Sequence, residues 1–354
     1  MSRDDAEMNE PDQMEGILHP REQFAFFGHA EGEAAFIEGL RSGRLHHAWL
    51  IGGPQGIGKA SLAYRVARAV LDPQKGRDTG ISDLNVAPSA SVARQVAALS
   101  HPNLAVLRRA PATDKKGPST TIPVDAVRKA LNMFGSTAAD GGYRICIVDS
   151  AEDLTISSAN ALLKVIEEPP PRSLFLIISH APQRVLPTIR SRCRRLLLRP
   201  LADPDIRSVI ASLGAPWTEI PDEVVGQALR YGEGSVRRCL ELLDEEKVAF
   251  IEHVTRLLDG LPRVDTKQIL ALAEALAKRD ADETFDLALE TMERWVTGRL
   301  HQRASLGASR LAPLVEVCDK IARSAREVDV FNLDRRPFIL TLFDDLSEAV
   351  RQTA

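Results

Sequence analysis

The sequence predicts an α/β domain built on a parallel sheet, followed by two all-helical regions. Three observations predict it. Short, continuously apolar runs alternate with amphipathic helical segments up to about residue 200, the pattern of strands covered on both faces by helices. A glycine-rich loop, Gly53-Pro54-Gln55-Gly56-Ile57-Gly58-Lys59, falls between one such run and one such helix. After Pro200 the strand signals fade and the chain reads as helices.

In order along the chain, residues 48–51 form a short apolar strand, and residues 59–71 a helix with Leu62, Val66, Ala69 and Val70 on one face. Residues 104–107 are a second strand. Pro123 suits a first helical position, with Val124, Val127, Ala130, Leu131 and Phe134 following at helical spacing. Residues 143–148 are a third strand ending at Asp149. A helix over 155–168 is stopped by Pro169-Pro170-Pro171. Residues 174–178 and 195–198 are the fourth and fifth strands. Residues 203–213, 222–231 and 235–243 read as a small helical domain, and 246 to the C-terminus as further helices broken near Gly260-Leu261-Pro262 and Ser305-Leu306-Gly307. The expected divisions are therefore 1–20, 21–200, 201–245 and 246–354. Residues 72–88 and 111–121 are the internal stretches expected to be least ordered.

Composition narrows the function classes. A chain of 354 residues is too long for one ordinary domain, and 44% hydrophobic content supplies a packed core. A net charge of −4 argues against binding nucleic acid over the whole surface but leaves room for a local basic patch. No apolar run approaches a membrane span. Residues 1–15 carry six acids (Asp4, Asp5, Glu7, Glu10, Asp12, Glu15) against Arg3 and lack an apolar core, so they read as a solvated tail rather than a signal peptide. A cytoplasmic protein is expected. Cys146, Cys193, Cys239 and Cys318 form no C-x-x-C pair, so metal-ligand spacing is absent. Cys146, Cys239 and Cys318 read as reduced core thiols, and His46-His47 as structural.

The glycine loop fits G-x-x-x-x-G-K, with Gly53, Pro54, Gly56 and Gly58 shaping the backbone and Lys59 placed to reach β- and γ-phosphates. An ordinary glycine-rich turn is the plain alternative. The next residue is Ala60, where Ser or Thr would help hold Mg²⁺. Asp149 at a strand tip can orient Mg²⁺ and its waters, or simply cap a helix. Ser150 follows it where an active ATPase would place Glu. Six arginines and no acids lie between Arg184 and Arg199. That run, with Arg192 in Ser191-Arg192-Cys193, reads as a DNA-facing patch, an arginine finger for a neighbouring subunit, or a solvated basic face. Arg237, in Gly234-Ser235-Val236-Arg237, can touch a γ-phosphate from the small helical domain or lie on its surface.

Taken together these segments resemble the AAA+ clamp-loader family of bacterial DNA polymerase III. The resemblance is carried by 43–50, the glycine loop, Ser100-His101-Pro102-Asn103, 122–128, 160–170 (Asn160-Ala161-Leu162-Leu163-Lys164-Val165-Ile166-Glu167-Glu168-Pro169-Pro170) and Ser191-Arg192-Cys193, in family order across about residues 20–240. It implies a RecA-like domain, a helical lid and a helical collar that joins a pentameric ring. It also implies a role in placing the sliding clamp on primed DNA, with ATP bound between subunits. Arg192 inherits the finger, Arg237 the lid sensor, and Ser179 lies near the first sensor. Ala60 and Ser150 depart from the motor subunits, and residues 72–100 lack the cysteines of the family's zinc module.

The expected function is thus a largely non-hydrolysing ring subunit that lends Arg192 to a neighbour and holds ATP or ADP with Mg²⁺ weakly or not at all, without zinc. The alternative is an active AAA+ ATPase using Ser61 or Glu152 as substitutes. A small-molecule kinase is a third reading that nothing after Pro200 supports. No polymerase site is visible, so polymerase activity would belong to the holoenzyme.

Overall fold

Five parallel strands form one sheet in the order β2-β3-β4-β1-β5. They are β1 (Ala48–Gly52), β2 (Leu104–Arg108), β3 (Arg144–Asp149), β4 (Ser173–Ser179) and β5 (Arg194–Leu197). The computed structural model describes residues 13–353 apart from 15, 79, 111–118, 136–141, 264, 279–280 and 332–333. Most of the acidic tail and most of the 111–121 stretch therefore lie outside the described residues.

Strand alternation builds the core. Trp49 and Ile51 of β1, Ile145 and Ile147 of β3, and Leu174, Leu176 and Ile178 of β4 meet α2 (Lys59–Leu71) and α1 (Ala30–Arg41) on one face. Ala48, Leu50, Cys146, Val148, Phe175 and Ile177 point the other way, toward α4 (Val124–Leu131) and α5 (Ile156–Glu167). The central strands are buried on both sides, which is why they read as unbroken apolar runs. Two short helices, α3 (Ser91–Ala97) and α6 (Pro187–Arg190), complete this part.

The chain divides into two compact units, Met1–Leu243 and Asp244–Ala354. The first also holds α7 (Asp203–Leu213), α8 (Asp222–Gly232) and α9 (Val236–Glu241). Their core joins Leu201, Ile206, Ile210, Val225, Leu229, Cys239 and Leu240, with Met14, Ile17 and Trp217 packed against it. The second unit contains α10 (Glu245–Asp259), α11 (Thr266–Leu276), α12 (Asp282–Gln302), α13 (Ala308–Phe331) and α14 (Arg335–Gln352). Phe285, Met292, Leu314, Ile339, Leu342 and Phe343 are in its core. Among the described residues no helix is long and apolar enough to cross a membrane.

Three expectations need correction. The first division, expected over 1–20 as an acidic tail, is not solvated throughout where it is described: Met14 and Ile17 pack partly buried against the core of α7–α9, and His19 is buried. The stretch 72–88 is tied down where it is described: Ile81 and Leu84 enter the core, and Lys75 Nζ bonds Asp83 Oδ1 at 2.7 Å. Pro123 is the N-cap of α4 rather than its first residue, with extended backbone (ψ 155°).

Candidate functional site

The glycine loop joins β1 to α2 with its carbonyls turned toward donors. Lys59 Nζ donates to the Gly53 carbonyl at 2.7 Å and also to that of Pro54. Ser235 Oγ donates to Gln55 O at 3.0 Å, the Arg237 amide to Gly56 O at 3.2 Å, and His29 Nε2 to Ile57 O at 2.7 Å. Because each peptide is planar and trans, a carbonyl directed one way sends the following N–H the other. The amides of Gly56, Ile57 and Gly58 therefore face away from these donors. Two glycines are required by this path. Gly53 (φ 146°) would place a Cβ 2.5 Å from the Leu198 carbonyl oxygen, and Gly56 (φ 75°) would place one 2.6 Å from Arg237 Cβ.

Loop residues 55–61 line a cavity together with Asp149, His180 and Arg237, and residues 13–27 contribute to its wall. That N-terminal wall is held by buried arginines of α2. Arg68 donates to the carbonyls of Arg21 (2.9 Å) and Gln23 (2.8 Å) and lies 4.7 Å from the Phe24 ring centre, while Arg65 pairs with Glu33. Burial, helped by the charge of Arg65, lowers Arg68 to about 10.

Lys59 is 3% exposed. Burial pulls its pKa down to about 8, against the opposing fields of Asp149 and Glu152. The structure thus brings Gly53, Pro54, Gly56, Gly58, Lys59, Asp149 and Arg237 into one site. Arg237 Nε also holds Glu241 at 2.9 Å. Ser150 is buried, and its Oγ lies 3.4 Å from Asp153 Oδ2. Ala60 packs against the core on the α2 side of the sheet, and Ser61 borders the cavity.

Glu152 is committed elsewhere. Its Oε1 accepts from Ser179 Oγ and from the Ala181 amide at 2.6 Å. Burial acts to raise its pKa, but these bonds, its own amide and His180 outweigh that and leave it lowered. Ser179, expected near the first sensor, is fully buried and donates its hydroxyl to this carboxylate.

Arg192 stands apart. It precedes β5 by two residues, at the N-terminal edge of the sheet, whereas the glycine loop leaves the C-terminal edge after Gly52, which pairs with Leu197. Strand rise puts on the order of 15 Å between these edges. Arg192 Nη2 pairs with Glu167 at 2.7 Å and Nη1 donates to Thr188 O at 3.0 Å, leaving the side chain 40% exposed. Sequence reasoning missed His29, Glu167 and the N-terminal wall. Only contacts between segments far apart in the chain reveal them.

The cradle fits a phosphate: glycines where Cβ atoms would clash, loop amides whose carbonyls are already engaged, and Lys59. The Mg²⁺ donor set does not fit as well, since Ala60 brings no oxygen. A family model described as DNA polymerase III, delta subunit, matches residues 28–202. DNA polymerase III subunit delta' of Yersinia pestis is 33% identical over 247 residues, covering 68% of this chain and 67% of that protein. DNA polymerase III subunit gamma/tau of Mycobacterium bovis is 32% identical over 254 residues, covering 70% of this chain. The match spans only 41% of that longer relative. Among solved structures, a Thermotoga maritima DNA polymerase III gamma subunit-related protein is 18% identical, with a TM-score of 0.37 over 90% of this chain and 99% of that one.

Proposed function

This chain belongs to the delta-prime family of DNA polymerase III subunits, and from that premise we propose that it is a clamp-loader ring subunit that lends Arg192 to a neighbour's nucleotide site. In this reading residues 21–200 are the RecA-like AAA+ domain, 201–245 its lid and 246–354 the collar of a pentameric, cytoplasmic assembly. That assembly loads the sliding clamp onto primed DNA.

The observation that carries the reading is the place of Arg192. It is exposed and braced by Glu167 at the sheet edge opposite its own glycine loop. An arginine so placed is of no use to a phosphate on Lys59, but it can stabilise charge developing in a site that abuts from outside. At the chain's own site, the glycine cradle and Lys59 would hold the phosphates of ATP or ADP, with Arg237 approaching from the lid. The nucleotide's Mg²⁺, when bound, would neutralise phosphate charge. Asp149 would face it without a hydroxyl at position 60, so Mg²⁺ and nucleotide are held weakly.

The active-ATPase alternative is disfavoured by Glu152. A general base needs a free oxygen aimed at water and a suitable pKa. Here Oε1 is taken by Ser179 and Ala181, Oε2 is buried away from solvent, and the carboxylate is less basic than usual.

The test is DNA-dependent ATPase of the reconstituted loader carrying Arg192→Ala. Loss of a trans arginine typically costs ~10³-fold or more at the site it serves. A several-fold fall in total turnover is expected, with this chain still folded and incorporated. Unchanged turnover overturns the reading.

A further inference from the structure

The sheet ends in a strand that is built to attract an anion. Among the described strands, β5 pairs with β1 alone, so its other side is the edge of the sheet. Arg194, Arg195 and Arg199 are exposed along it, as are Leu197 and, just upstream, Arg184. The guanidinium of Arg194 lies 4.7 Å from the Trp49 ring centre, so Trp49 supports it and leaves its charge uncompensated. Arg192 is paired with Glu167. Among the described residues Arg184, Arg195 and Arg199 have no carboxylate partner.

The opposite charge is in the same chain. Residues 1–12 hold five acids (Asp4, Asp5, Glu7, Glu10, Asp12) and one base. Their root is near this edge. Gln13 lines the same cavity as Leu201, four residues beyond the end of β5. Twelve residues reach up to about 40 Å when extended. Arg194 to Arg199 occupies roughly 17 Å of chain, so the tail can lie along the whole edge.

We propose that the acidic segment 1–12 docks in cis along the arginine-bearing edge formed by β5 and its flanks. Each contact is solvent-exposed and individually weak. Tethering nonetheless presents the carboxylates at an effective concentration in the millimolar range, which a free anion at lower concentration does not match. The contact is reversible and salt-sensitive. Arg192 belongs to the same arginine run, so any partner that takes this surface first displaces the tail. The inference does not depend on what Arg192 does there.

A photo-crosslinking p-benzoylphenylalanine in place of Glu7, in the full chain, tests it by mass-spectrometric mapping of adducts in the monomer band. Adducts on residues 184–199 are expected. Their yield should fall about fivefold or more between ~0.05 M and ~0.5 M salt, as the screening length shrinks. The same loss is expected in chains with Asp4→Asn, Asp5→Asn, Glu10→Gln and Asp12→Asn, which leave the folded body untouched. Arg184→Glu, Arg195→Glu and Arg199→Glu should abolish the adducts, and lysines at positions 4, 5, 10 and 12 should restore them. Adducts elsewhere in the monomer, adducts only in a dimer band, or a yield indifferent to salt and tail charge would overturn the proposal.

Discussion

Replacing Ser235 by Ala tests how the glycine loop is coupled to the small helical domain. The Ser235 hydroxyl serves two elements: it accepts the Arg238 amide at 3.3 Å as N-cap of α9, and it donates to the Gln55 carbonyl at 3.0 Å. The residue is 7% exposed, so water does not readily replace either bond. Loss of a serine N-cap to alanine costs about 1 kcal/mol. Loss of the second bond, leaving the Gln55 carbonyl without its partner, costs about 1 kcal/mol more. Together they predict roughly 2 kcal/mol of local stability, equivalent to about 30-fold faster opening. Ser235→Gly spares most of the cap and should lose only the second part. Hydrogen exchange followed by peptide suits a chain of two compact units, for which one global midpoint is poorly defined. Peptides covering the glycine loop and α9 should both exchange faster in Ser235→Ala. Acceleration confined to α9, with the loop unchanged, would show that the Gln55 bond carries no energy and refute the coupling.

Other outcomes follow from the same geometry. Glu167→Ala should change stability by no more than about 0.5 kcal/mol, because both partners of the Arg192 pair are 40% exposed. In a reconstituted loader it should lower ATPase less than Arg192→Ala does, by releasing the arginine rather than removing it. Lys59 titrates near 8 when folded and near 10.5 when unfolded, so between these values the unfolded chain binds more protons and stability rises with pH. Relative to Lys59→Met, the natural chain should gain about 2 kcal/mol from pH 7 to 10 in paired denaturation curves; a constant difference would refute the burial cost assigned to this ammonium. Burial raises the thiols of Cys146 and Cys193 to about 12 and that of Cys239 to about 11. Native alkylation at pH 8 should therefore modify at most Cys318, and slowly. Rapid reaction of two or more thiols would contradict the packing.

Much of this molecule could be read from local pattern. Unbroken apolar runs such as 174–178 marked strands covered on both faces, and the Gly53–Lys59 spacing marked the loop, because strand burial and phosphate cradles impose residue types on consecutive positions. The absences at Ala60 and Ser150 were equally local, and so pointed to a weakened site. What pattern could not supply were the pairings between segments distant in the chain. Glu152 had the composition of a substitute base; it is the meeting with Ser179 and Ala181, nearly thirty residues away, that ties it up. His29 and Ser235 gave no signal of holding the glycine loop, since a hydrogen bond to a backbone carbonyl requires no particular residue there. Met14 and Ile17 gave no signal of a packed segment because apolar side chains are sparse around them in sequence; α7–α9 give them somewhere to pack. Pattern left Arg192 open among finger, patch and solvated face, and could not show that it sits at the sheet edge opposite Lys59; strand order supplies that position. Strand order and register depend on every segment of the sheet packing at once, so no single stretch of residues encodes them.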